Sequence, residues 1–192
     1  MNLYEVIEGK KGEQLTSAVL RFVLHRSQDI REVFIDAVSS GSSTGPIVMR
    51  DEFSCVIEQG TTGLEEDSIE RKIQTGRIDL IVRTDNSIIG IENKLDAAFT
   101  DGQPDKYMAT LRAQSVAQKK KRCVLCMLAP RNRKDEIKGK IDRSQYKDQY
   151  VLLSWEDLLE SIRLAKEIQG PQVGWAITYG CHDIVLTRLG IC

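Results

Sequence analysis

The stretch from Gly76 to Lys94 constrains this chain more than any other. It reads as a β-hairpin with charge on one face. Asp85 and Asn86 supply the tight turn, because both side chains tolerate left-handed backbone angles. Val82 then faces Ile89 across the ladder, and Asp79 faces Glu92. Directly opposed residues hold their Cβ atoms roughly 4.5–5.5 Å apart. Lys94, two residues beyond Glu92, shares its face by the period of two. Ile78, Leu80, Val82, Ile89 and Ile91 are expected to form the opposite, apolar face. Ile81 and Ile88 add apolar character to the charged one, so both strands read as interior.

Two carboxylates opposed across a sheet repel each other, and a cation between them relieves the repulsion. Hard oxygen donors suit Mg²⁺ or Mn²⁺, which take one or two protein carboxylates and fill their remaining positions with water and phosphate oxygens. A lysine beside such a cation can orient an attacking water. The plain alternative is a solvent-facing charged face in which Lys94 neutralises one acid. Further on, Asp101-Gly102 precedes a helical pattern, and Pro104 suits its first turn, where a missing N–H costs nothing. Gln103 and Tyr107 then lie on one helix face, four residues apart. Packing beside Leu111 is the structural alternative for Tyr107.

Taken in order, Asp79, Glu92-Asn93-Lys94 and Gln103-x-x-x-Tyr107 resemble the motifs of the PD-(D/E)xK nuclease superfamily, in its QxxxY-containing subgroup. Ile78 stands where a proline is often found before the first acid. The resemblance implies an α/β fold with a restriction-endonuclease-like core, a central mixed β-sheet flanked by helices. It implies a metal-dependent deoxyribonuclease that hydrolyses phosphodiester bonds, DNA ahead of RNA, leaving 5′-phosphate and 3′-hydroxyl ends. Asp79 and Glu92 would hold Mg²⁺ or Mn²⁺, Lys94 would orient the attacking water, Gln103 would steady the lysine or a water, and Tyr107 would contact a substrate phosphate. Glu13, in the first turn of an expected helix from residue 13 to about 28, matches a glutamate that members carry near the site; an acid there also suits the helix dipole. Glu58, at the end of a first strand over 53–58, is an additional metal-ligand candidate. Members with this arrangement occur in bacterial antiphage systems and mobile elements. A catalytically inactive nucleic-acid-binding module and a partner-activated nuclease subunit are the competing readings.

The remaining features fit a single domain over residues 1–192, with a core at about 10–168 and a C-terminal extension, a helix or dimerisation element, at 169–192. A chain of 192 residues that is 41% hydrophobic buries a sizeable core. Its net charge of −1 does not favour nucleic acid. The distribution does: residues 119–147 hold eleven Lys and Arg against three acids, enough for a phosphate-contacting rim, or else a solvated loop. No signal peptide and no membrane-spanning run is read, so a cytoplasmic protein with reduced thiols is expected. Cys123 and Cys126 fall on an expected strand at i and i+3, pointing to opposite faces, which argues against a shared metal. Residues 36–46 are small and polar and read as a loop. Residues 64–74 read as an acidic insert, 122–128 and 150–153 as further strands, and Ser154 as the cap of a following helix.

Overall fold

The computed structural model describes residues 9, 12–57, 77–95 and 102–169, with the backbone alone at 165–169. Glu58, the acidic insert expected at 64–74 and the extension expected at 169–192, all but its first residue, lie outside the described residues.

Helix α1 spans Gly12–Arg26. Its stripe of Ala18, Val19, Phe22 and Val23 is buried, with Glu13 at the N-terminal end and Arg26 at the C-terminal end, both favourable to the helix dipole. Helix α2 follows after a single residue, over Gln28–Gly41. Ser27 caps it, its Oγ accepting from the Ile30 N–H at 3.3 Å. The loop expected at 36–46 is therefore corrected: the first six of those residues complete α2. Ile30, Phe34 and Val38, spaced by four, are buried, and tertiary burial outweighs the poor helix propensity of Ser39, Ser40 and Gly41.

Five strands form one sheet in the order β1-β2-β3-β4-β5. They are β1 Phe53–Val56, β2 Leu80–Thr84, β3 Ser87–Asn93, β4 Arg122–Ala129 and β5 Tyr150–Ser154. The first three pair antiparallel, and β3, β4 and β5 run parallel. The hairpin register is the expected one, with Val82 opposite Ile89 and Leu80 opposite Ile91. Its turn also anchors the preceding chain: Asp85 accepts from the backbone N–H groups of Arg50, Asp51 and Glu52, and Asn86 accepts from that of Val48. Parallel neighbours need crossovers. Helix α3, Gln103–Ala117, links β3 to β4; helix α4, Lys134–Ile141, links β4 to β5; helix α5, Trp155–Gln169, follows β5. Ser154 caps α5 by accepting from the Asp157 N–H at 3.0 Å.

The result is a three-layer sandwich. Helices α1, α2 and α5 cover one face of the sheet, burying Leu80, Val82, Ile89, Ile91, Val124 and Cys126. Helices α3 and α4 cover the other, over Ile81, Ile88, Cys123, Leu125 and Met127. Cys123 and Cys126 thus enter different cores, and burial pushes the Cys126 thiol up to about 12. Ile78 departs from expectation: it packs with Ile81 and Ile88. Pairing starts only at Leu80, and the bend at Asp79 breaks the alternation that regular strand geometry would impose. Among the described residues no helix is long and apolar enough to cross a membrane.

Candidate active site

The C-terminal half of β3 divides its side chains between the two faces. Glu92 and Lys94 turn toward α3, and Asn93 between them turns toward α1 and α5. Gly90, two residues before Glu92, sets the spacing on the α3 side. A Cβ there would lie 2.7 Å from Leu111 Cδ1 and 3.1 Å from Leu125 Cδ1, so the bare glycine lets α3 approach the sheet closely.

Both charged residues are deeply buried, Glu92 at 3% and Lys94 at 5% exposure. The Lys94 ammonium lies 2.8 Å from Glu92 Oε1, and Gln103 Nε2 lies 3.5 Å from the same oxygen. Glu92 Oε2 is buried and has no hydrogen-bond partner. Asp79 stands one step beyond the last paired residues of the hairpin, and its Oδ2 accepts the Asn93 N–H at 2.9 Å. The Lys94 N–H donates to Leu128 O at 2.9 Å, so β3 stays tied to β4 beyond Asn93.

Burial pushes the carboxyl groups of Asp79 and Glu92 above the usual carboxylate range. For Glu92 the next cause is Asp79, opposed by Lys94. For Asp79 the Asn93 N–H and Lys94 oppose the rise. One lysine beside two buried carboxylates leaves a negative charge without full compensation. The donor set fits a hard divalent cation: carboxylate oxygens, and among them a buried one with no donor. Among the described residues no group of three or more His, Cys, Asp and Glu side chains is placed to hold a metal ion by itself. Two carboxylates with the balance from water and substrate oxygens is the habit of Mg²⁺ rather than of a closed structural site.

Helix α3 supplies the Gln/Tyr pair. Gly102 precedes it at φ 69°, and Pro104 sits in its first turn as the sequence indicates. Gln103 Nε2 donates to the Tyr107 hydroxyl at 2.5 Å, and that hydroxyl donates to Arg77 O at 2.9 Å. Tyr107 is 2% exposed and its one proton is committed to a backbone carbonyl two residues before Asp79. This geometry makes it a brace between α3 and the approach to β2, in place of the phosphate contact expected of it. The start of α3 is pinned in turn by Asp105, which accepts from Ser144 Oγ and from the Tyr150 hydroxyl. Glu13 reaches the site's far side, its Oε1 accepting the Leu95 N–H at 3.0 Å. Asp79, Glu92, Lys94, Gln103, Tyr107 and Glu13 therefore lie in one connected region, while Glu58 is outside the described residues.

The basic block at 119–147 does not form one surface. Lys120 pairs with Glu52 and donates to Thr84 O, and Arg122 donates to Thr44 O, all beside the hairpin turn at the opposite end of β3 from Glu92. Arg133 instead donates to Leu95 O at 3.1 Å, next to Lys94. Within the block it is Arg133, just before α4, that adjoins the site.

Several residues of the site carry no motif: Asn93, Thr16, Trp155, Gly90 and the Arg77 carbonyl. Asn93 did offer a signal, since the period of two sends a polar side chain at that position into the core facing α1 and α5.

A mixed sheet between helical layers, with an acid at the start of its second strand and a Glu-x-Lys at the end of its third, defines a restriction-endonuclease-like nuclease fold. The chain belongs to the PD-(D/E)XK nuclease superfamily, whose family model matches residues 1–179. No curated protein and no solved structure matches the chain.

Proposed function

We propose that this protein is a divalent-metal-dependent deoxyribonuclease that hydrolyses phosphodiester bonds through Asp79, Glu92 and Lys94. The observation that carries the reading is the buried acid pair with its single lysine and the Glu92 oxygen left without a donor. Asp79 and Glu92 would hold Mg²⁺ or Mn²⁺, which when bound would supply Lewis-acid polarisation of the phosphoryl oxygens and a more nucleophilic water near neutral pH. The Lys94 ammonium orients the attacking water and stabilises negative charge developing at phosphorus, where a preorganised cation in a dry site counts most. Gln103 and Lys94 both approach Glu92 Oε1, which leaves Oε2 for the metal. Tyr107 and Glu13 act by holding the backbone at Arg77 and Leu95.

Basic residues of α4 and its flanks, Lys138, Lys140 and Arg143, form the rim that meets the phosphate backbone. The resemblance extends the proposal to a cytoplasmic role in bacterial antiphage defence or a mobile element, with a homodimer suited to double-strand cuts. The test is cleavage of supercoiled plasmid, single-stranded DNA and RNA with Mg²⁺, Mn²⁺ or EDTA, beside Asp79→Ala, Glu92→Ala and Lys94→Ala. Metal-dependent cutting of DNA, lost in all three variants, is the expected outcome. Cutting retained by Asp79→Ala at matched metal refutes the assignment. Metal binding without cutting of any substrate would instead favour a subunit that needs an activating partner.

A further inference from the structure

We infer that Asn93 is a positioning residue for the metal site: through Trp155 and Thr16 it fixes the end of β3, so that Glu92 and Asp79 are held in metal-binding register. The inference rests on the proposed nuclease reading and names the residues that keep its carboxylates in place.

Asn93 is 1% exposed in a strand whose neighbours on the same face are isoleucines, Ile89 and Ile91. Asparagine is a poor strand former, and a buried amide is costly unless every group is paired. Here it is paired on three sides. Its Oδ1 accepts from Trp155 Nε1 at 2.9 Å, its Nδ2 donates to Thr16 Oγ1 and to Glu13 O at 3.3 Å, and its backbone N–H donates to Asp79 Oδ2 at 2.9 Å. Trp155 is 2% exposed and Thr16 is fully buried, so the network is shielded from water. One residue thus joins α1, α5 and Asp79 while sitting between Glu92 and Lys94. A branched apolar side chain would satisfy the packing of that face. It would not fix the translation of β3 along its own axis, because apolar contacts are non-directional and hydrogen bonds are not. Groups that orient metal ligands without touching the ion typically account for about 10–100-fold in metal affinity.

The experiment is Mn²⁺ binding by calorimetry, together with kcat and KM on the best DNA substrate, for the wild type, Asn93→Ala, Trp155→Phe and the double variant. All are measured well below their unfolding temperatures. Asn93→Ala is expected to weaken Mn²⁺ binding about 10–100-fold and to lower kcat with KM little changed. Trp155→Phe, a milder change, is expected to weaken Mn²⁺ binding in the same direction. The double variant should be no weaker than Asn93→Ala, because Trp155 acts through Asn93. Phe34→Leu, a core change on α2 that removes none of the network's hydrogen bonds, should lower the melting temperature and leave Mn²⁺ affinity unchanged. If Asn93→Ala and Trp155→Phe lose stability yet bind Mn²⁺ like the wild type, the positioning role is overturned and the nuclease reading stands. If the wild type itself binds no Mn²⁺, both fall.

Discussion

Removing metal should make this protein less stable as pH rises from about 5 to about 8, opposite to what salt-bridged surface carboxylates do. Asp79 and Glu92 hold protons more tightly when folded than when unfolded, because burial penalises their charged forms. Between the ordinary carboxylate range and their raised values, the folded state binds more protons than the unfolded state. The stability this contributes is fully present at the acid end and is lost as pH rises. Lys94 offsets one of the two charges at 2.8 Å from Glu92, so the cost falls mainly on ionising the second acid. Asp79, pushed by burial from the ordinary 3.8 up to about 6, accounts for roughly 3 kcal/mol of this. For a domain of this size 1 kcal/mol moves the melting temperature by about 2–4 °C, so the expected drop is roughly 6–12 °C. Asp157 and Asp85 are held below the usual range by hydrogen bonds and titrate below this window. The assay is a melting curve in EDTA from pH 5 to 8, repeated with millimolar Mn²⁺, for the wild type and Asp79→Asn. Mn²⁺ should restore the melting temperature at pH 8 and do little at pH 5, where protons compete for the same oxygens. Asp79→Asn should flatten the pH slope and lose the Mn²⁺ response. A wild-type slope that Asp79→Asn leaves intact would refute the argument that these buried acids set it.

Three further outcomes follow from the packing. Gly90→Val should lower stability by about 1–3 kcal/mol, because its side chain must displace Leu111 and Leu125; an unchanged melting temperature would contradict the close approach of α3. Tyr107→Phe leaves Arg77 O without its donor and should cost about 1 kcal/mol in chemical denaturation. It should also reduce kcat with little effect on KM, whereas a large rise in KM would return the hydroxyl to the substrate. Cys55 and Cys126, both buried with thiols pushed up to about 12, should resist thiol-specific reagents at pH 7 until the chain unfolds, as read by mass spectrometry of the labelled protein.

The hairpin was readable because its information is local. A turn at Asp85-Asn86 and an alternation of period two fix which residues oppose each other, and the observed register follows. The unbroken apolar run of β4 was readable for a related reason: a parallel strand covered on both faces has no polar face to show. Helix α4 was not legible, since only Ile137 and Ile141 are buried along it and two residues make no stripe. Helix α2 was not legible either: its buried Ile30, Phe34 and Val38 run into Ser39, Ser40 and Gly41, which read as loop residues.

By itself the sequence determined the acids, the lysine, the face that Glu92 shares with Lys94 and the helix start that follows them, all properties of a few consecutive residues. Only the tertiary structure decided what closes around them. It turned Ile78 away from Leu80, divided the basic block between two ends of the sheet, and drew Thr16 and Trp155 onto Asn93. It also left Glu92 Oε2 buried without a donor. Those outcomes depend on which helices pack on which face. Contacts between residues dozens of positions apart leave no periodic trace in the chain that makes them.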